Sequence, residues 1–177
     1  MNEATFNDFR QQIDQFMGHH PQSPLPYQDK ATFTGLDYYG YNAALAQTLP
    51  VTLLPEDEPL ITMEATGGAT RLHRRWGQIS ITVAGKPTTV TIYSDPSGAA
   101  LFLPFRDKTS GNETYGAGRY LDSHRPGLAL VSSSEIEIDF NFAYNPFCAY
   151  DESFSCPLPP VENWLQVPIE AGEKKFK

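Results

Sequence analysis

The chain has 177 residues, room for one compact unit with an appended element and too few for a multidomain machine. Lys and Arg number 13 against 21 Asp and Glu, and the net charge of −8 argues against attraction to phosphate backbones or anionic lipid, so neither nucleic acid nor membrane is expected as a partner. With 40% apolar residues, 11 Phe and 9 Tyr a core can be built, while 15 Pro and only 19% charged residues point away from long solvated helices and toward a loop-rich β protein.

The start, Met1-Asn2-Glu3, has neither the basic opening nor the apolar run of a secretory leader, and no apolar run approaches the roughly 20 residues that cross a bilayer. A cytoplasmic protein is the expectation. Phe6, Phe9, Ile13, Phe16 and Met17 recur at steps of three and four with polar residues between them, the stripe of an amphipathic helix. Asn2 or Thr5 supplies its cap, and Gly18 followed by Pro21 its stop. Residues 1–20 are therefore predicted as a helix packed on a single β-domain, 21–177, with Pro21 to Asp29 an extended connection.

From Thr32 the period changes to two. Ile79, Ile81 and Val83 alternate with polar residues, Gly85-Lys86 offers a turn, and Val90 and Ile92 resume the alternation, which predicts a hairpin. Further strands are predicted at Gln47–Leu54, Leu60–Ala65, Thr70–Trp76, Ala100–Phe105, Leu128–Val131 and Glu135–Phe142. Many short strands with turn signals between them predict a mainly β fold, an antiparallel barrel or curved sandwich. Beyond Asn145 the prolines at 146, 157, 159, 160 and 168 oppose regular structure, so residues from about 145 to 177 are predicted to run as an extended strap over the core.

Chemistry concentrates in three places. Between Phe105 and Tyr120 a turn dense in small and charged residues holds Arg106, Asp107, Glu113, Tyr115 and Arg119; its arginines suit a carboxylate or phosphate, or are neutralised by their own acidic neighbours. Its glycine spacing makes neither a P-loop nor a dinucleotide fingerprint, and no cofactor is expected. On the strand Glu135–Phe142, Glu137, Asp139 and Asn141 share one face, and Asp139 with Glu113 offers two carboxylates for acid and base work in hydrolysis. Tyr144 and Asn145 lead into Cys148 and Cys156, which are a disulfide, a pair of structural thiols, or two weak candidates for metal or a reactive thiol. A basic run, Arg71 to Arg75 beside Trp76, reads as a solvated strand edge or as an anion contact.

Four stretches together carry a resemblance: Phe-Arg-Asp-Lys-Thr-Ser-Gly-Asn-Glu-Thr-Tyr-Gly-Ala-Gly-Arg-Tyr-Leu-Asp from Phe105, Asp-Phe-Asn-Phe-Ala-Tyr-Asn-Pro-Phe-Cys-Ala-Tyr from Asp139, Cys-Pro-Leu-Pro-Pro-Val-Glu-Asn from Cys156, and Ile-Glu-Ala-Gly-Glu-Lys from Ile169. They resemble the bacterial and archaeal family known as domain of unknown function 1684, closely from about Phe102 to Lys174 and more loosely from Phe33 through Tyr93. The resemblance implies no activity, substrate or catalytic residue to carry over. It does single out mostly polar positions, among them Thr109, Asn163, Glu170 and Glu173, where a family held together only by its core shares apolar ones. Such groups form one buried network or surround a ligand.

The leading expectation is an anionic or polyhydroxylated small molecule bound in a polar pocket by Arg106, Asp107, Tyr115, Arg119, Asn141, Tyr144 and Asn145, with the two arginines as grips and the tyrosines as walls. The alternatives are a hydrolase using Glu113 and Asp139, and a structural or partner-binding domain with no small-molecule site.

Overall fold

In the computed structural model, which describes residues 2–177, Asn2 caps the first helix, α1 (Glu3–His19), its Oδ1 accepting from the Thr5 N–H at 3.0 Å. The helix runs through Gly18 and stops at His20, whose backbone is extended at φ −75°, ψ 140°, because the ring of Pro21 disfavours helical geometry in the residue before it. Phe6 and Met17 are buried, and the Phe6 ring lies 5.8 Å from that of Phe142, edge on, so the apolar stripe meets the β core. The expected extended connection is interrupted by a single helical turn, α2 (Tyr27–Lys30), started by Pro26 with its fixed φ. No helix among the described residues is long and apolar enough to cross a membrane.

Among the described residues nine strands follow, all paired antiparallel: β1 (Ala46–Pro50), β2 (Thr52–Leu53), β3 (Ile61–Glu64), β4 (Thr70–Val83), β5 (Lys86–Ser94), β6 (Leu101–Phe105), β7 (Arg119–Asp122), β8 (Leu128–Ser132) and β9 (Glu135–Asp139). One sheet has the order β1-β9-β8, the other β2-β4-β5-β6-β7 with β3 also pairing β4. No pairing among the described residues closes either sheet into a barrel.

Four expectations change. The run Gln47–Leu54 is two strands in different sheets, divided at Val51, whose side chain is buried and whose N–H turns to the Ser134 carbonyl. The strand at Thr70–Trp76 and the first arm of the hairpin are one 14-residue strand, β4, with a register shift between Arg75 and Gly77. The hairpin turn is Ala84-Gly85, both at positive φ, one residue earlier than the turn read from the sequence. Finally, the polar turn ends sooner than its composition suggests, and β7 pairs with β6 in the register Leu103↔Leu121.

Side chains from both sheets, including Ile81, Ile92, Leu103 and Phe105 from one and Leu128, Ile136 and Ile138 from the other, meet in one hydrophobic cluster. Residues 145–177 contain no strand. Two single 3-10 turns, each preceded by a proline, interrupt them at Phe147–Ala149 and Val161–Asn163. From Asn163 to Ala171 burial alternates residue by residue, with Leu165, Val167, Ile169 and Ala171 joining the cluster and the even-numbered residues exposed. Isolated bridges tie this segment to Ala65, Arg106 and Tyr38.

Candidate functional site

The C-terminal segment has almost no ladder of its own, so its carbonyls must find other donors. Arg119, at the start of β7, supplies them from inside the protein. Its side chain is 1% exposed; Nη2 donates to Asp107 Oδ2 and to the Ile169 carbonyl, each at 2.8 Å, and Nη1 to the carbonyls of Ala171 and Glu173. Asp107 in turn accepts from the N–H and hydroxyl of Thr109. The fork is filled by the chain itself, and the only donor left over, Nε, is buried without a partner. The expected grip is thus a clamp on residues 169–173. Gly172 completes it: φ is +76°, and a Cβ there would stand 2.4 Å from the Ala143 carbonyl, so only glycine lets the two backbones pass this closely.

Three more polar clusters do similar work. Glu173 is fully buried, accepts from the Asn145 N–H at 2.8 Å and the Tyr150 hydroxyl at 2.6 Å, and has its pKa raised by burial. The Asn145 amide donates to the Lys174 carbonyl at 2.7 Å. Asn163 bridges two strands, accepting from Thr91 N–H at 2.9 Å and donating to the carbonyls of Thr91 and Pro104, both at 2.8 Å. The third cluster stands where β9 ends. The sequence alternation predicts a strand to Phe142, yet a 3-10 turn begins at Phe140 because Asp139 Oδ1 takes both the N–H and the side-chain amide of Asn141, at 3.0 and 2.7 Å. The polar face of this strand is turned inward at its end. Asp139 and Asn141 are fully buried, Asn141 also pairs with the backbone of Asn42, and Asp139 Oδ2 has no partner, so burial raises the Asp139 pKa.

The remaining expected residues lie apart from these clusters. Glu113 is exposed in the turn and accepts from the Tyr39 hydroxyl at 3.2 Å; it shares no partner with Asp139, and the structure does not join the two carboxylates. Arg106 is half-buried with its guanidinium 4.7 Å over the Trp164 ring, beside a small cavity of about 130 Å³. Of the polar positions marked by the resemblance, Thr109, Asn163 and Glu173 are buried and Glu170 is exposed. The basic run is no free edge: β4 is paired with β3 at Arg71 and with β5 at Arg74 and Arg75, and Arg75 bonds Glu162 at 2.7 Å.

Cys148 and Cys156 are free, buried thiols in contact. Cys156 Sγ accepts from the Cys148 N–H at 3.3 Å, and Tyr115 places its hydroxyl 3.7 Å from Cys148 Sγ. The neighbouring Cys156 side chain and the Tyr115 hydroxyl hold the Cys148 pKa below the ordinary thiol value, while the Cys148 side chain and burial push Cys156 up. Among the described residues no group of three or more His, Cys, Asp and Glu is arranged to hold a metal ion.

On either side of this pair lies a cavity. Tyr115, Cys148, Tyr150 and Asp151 line one of about 490 Å³. The other, about 260 Å³, is an aromatic cleft walled by Tyr120, Tyr144, Phe147 and Phe154 with Cys156 in its wall. The expected walls Tyr115 and Tyr144 therefore belong to different cavities. Both phenols of the cleft are committed elsewhere, Tyr120 to the Pro157 carbonyl and Tyr144 to Asp122, which leaves their rings as apolar surface. Arg125 stands at this cleft with its guanidinium 4.0 Å from the Tyr144 ring centroid, and no carboxylate of the described residues forms an ion pair with it. Sequence reasoning passed over Arg125, Phe147 and Phe154; Arg125 sits in an ordinary turn, Ser123 to Gly127, whose only signal is a single cation between helix- and strand-breaking residues.

The chain is similar over 97% of its length, and 93% of the other's, to the uncharacterized protein from gene locus rrnAC0354 of Haloarcula marismortui, known from a solution NMR structure, with 34% identity and a TM-score of 0.70. No curated protein matches it. The family model described as "Protein of unknown function (DUF1684)" matches residues 31–174, which span the buried Arg119 clamp, the thiol pair and the aromatic cleft alike. The chain belongs to that family.

Proposed function

We propose that this protein binds a small anionic molecule with a flat apolar body in the cleft between Tyr120, Tyr144, Phe147 and Phe154, and that Arg125 receives the negative charge. The observation that carries the reading is Arg125 itself: a guanidinium held over an aromatic ring, 4.0 Å from its centroid, in the lining of an apolar cleft and, among the described residues, with no carboxylate in ion-pair contact. A cleft with apolar walls and one convergent charged group is the common form of a small-ligand site. Its volume of about 260 Å³ suits a ligand no larger than a substituted benzoate. The two sheets and their shared core would serve as the rigid frame, a curved sandwich over which residues 145–177 run as the strap that supplies Phe147, Phe154 and Cys156 to the cleft. The hydrolase alternative draws no support from Glu113, exposed against Tyr39, and Asp139, buried against Asn141.

Benzoate is a suitable probe, titrated into isotopically labelled protein while backbone amide shifts are followed, with benzyl alcohol as the uncharged control. Shifts are expected at Tyr144, Phe147, Phe154 and Ser155. Arg125→Ala should weaken benzoate by at least about 10-fold and Arg125→Lys should restore part of it, since a hydrogen bond to a charged group contributes roughly 1.5–3 kcal/mol. Equal affinity for the acid and the alcohol, shifts confined to other surfaces, or no shifts at all would overturn the proposal.

A further inference from the structure

Cys148 and Cys156 are more than core filling. The Cys148 N–H donates to Cys156 Sγ at 3.3 Å, and the two side chains open onto different cavities, Cys148 onto the one of about 490 Å³ and Cys156 onto the aromatic cleft. Both sit on pieces of chain outside the strands. Cys148 is at the centre of the single 3-10 turn Phe147–Ala149, and Cys156 is held through its backbone by Thr66, whose Oγ1 and N–H bond its N–H and carbonyl, each at 2.9 Å. The two residues are thus anchored separately yet pack together.

We propose that these two residues form a dithiol that reduces hydroperoxides, with Cys148 as the attacking sulfur and Cys156 as the sulfur that resolves the product into a disulfide. The hydroperoxide enters by the cavity that Cys148 lines. The Cys148 thiolate attacks one peroxide oxygen; an S–O bond forms, the O–O bond breaks, and the leaving oxygen departs as water or alcohol once protonated. Cys148 is then a sulfenic acid. Cys156 attacks its sulfur, the S–S bond forms, the S–O bond breaks, and the second oxygen leaves as water with the proton from the Cys156 thiol. In total two thiols lose two electrons and two protons, and the hydroperoxide gains both.

The assignment of roles rests on surroundings. Tyr115 offers its hydroxyl at 3.7 Å to Cys148 Sγ, so negative charge is favoured on Cys148, the sulfur that faces the larger cavity. Asp151 and Glu152 beside the same cavity are carboxylates that favour an uncharged oxidant over an anionic one.

The full-length reduced protein, treated with equimolar hydrogen peroxide and then alkylated with iodoacetamide, tests this by intact mass and peptide mapping. The expected product is monomeric, lighter than the reduced chain by two hydrogens, with neither cysteine alkylated and the two joined in one peptide pair. With dimedone present, Cys156→Ser should carry the adduct on Cys148. Cys148→Ser should react at least about 10-fold more slowly than the wild type, because the thiolate is the nucleophile. Circular dichroism establishes that each variant is folded. If either is not, dimedone added to the wild type in the first moments of oxidation identifies the sulfenic cysteine directly. Dimedone on Cys156, a disulfide between chains, or oxidation to sulfinic acid with no internal disulfide would overturn the proposal.

Discussion

Replacing Arg119 by Met keeps much of the side-chain volume and removes every hydrogen bond the guanidinium makes. Asp107, whose side chain is fully buried, is then left without its cation, and breaking a buried pair by removing one partner costs about 3–5 kcal/mol. The carbonyls of Ile169, Ala171 and Glu173 lose their donor as well, at about 1 kcal/mol each or more where water cannot reach them. The expected loss, at least about 5 kcal/mol, rivals the whole stability of a domain, roughly 5–15 kcal/mol. For a chain of this length it corresponds to a fall in Tm of roughly 10–20 °C. Urea titration followed by fluorescence of Trp76 and Trp164 and by circular dichroism measures it. Arg119→Lys, which keeps a charge and loses the fork, should fall between the wild type and Arg119→Met and remains measurable if Arg119→Met does not fold. In a double-mutant cycle, Asp107→Asn combined with Arg119→Lys should cost less than the two single losses together, by about 1–3 kcal/mol for groups in direct contact. A loss below about 1 kcal/mol for Arg119→Met would refute the clamp, because no buried ion pair with three further bonds is that cheap to break.

Two other residues give independent tests. Asn163→Ala leaves three buried backbone partners on Thr91 and Pro104 unsatisfied and should cost at least about 3 kcal/mol in urea titration; a loss under about 1 kcal/mol would mean that water replaces the amide. Asp139, its pKa raised by burial, binds its proton more tightly in the native chain than in the unfolded one. Its contribution to stability is therefore greatest while it is protonated, below the ordinary carboxylate value of about 4, and is lost as pH rises through the higher folded value. Asp139→Asn should thus gain on the wild type in stability between pH 4 and pH 7, and a difference that stays constant over that window would show that the carboxyl is not raised.

Local pattern carried part of this protein. The stripe from Phe6 to Met17 is visible as a helix because helical neighbours are three and four residues apart, and the β4–β5 hairpin is visible because its partners are close in sequence. The same logic failed where a local pattern and a distant partner compete. The alternation of Glu135–Phe142 continues on paper past Asp139, but the side chain of Asp139 captures Asn141 and ends the strand. The run Gln47–Leu54 reads as one strand, yet its halves pair with β9 and β4, strands separated by more than 50 positions in the chain. Strand β7 was hidden in a polar turn because Arg119, its first residue, is a charged side chain that belongs inside.

For the candidate site the division is sharper. Residue identity determined which groups are available: the charged and amide side chains of 106–119, 139–145 and 163–173, the two cysteines, and the surplus of acid over base. It did not determine which way they face. Arg119 is chemically as fit to grip a ligand as to hold a backbone, and only the arrival of residues 169–173, some 50 positions later, commits its fork to their carbonyls. Arg125 has the same chemistry in an unremarked turn, and Tyr144, Phe147 and Phe154 reach its cleft through a segment without strands of its own. Periodicity reports a side chain's nearest neighbours along the chain, whereas burial, pairing and cavity shape depend on which distant segment covers it; the elements were accordingly legible in the sequence, and the choice between clamp and cleft was made by tertiary structure.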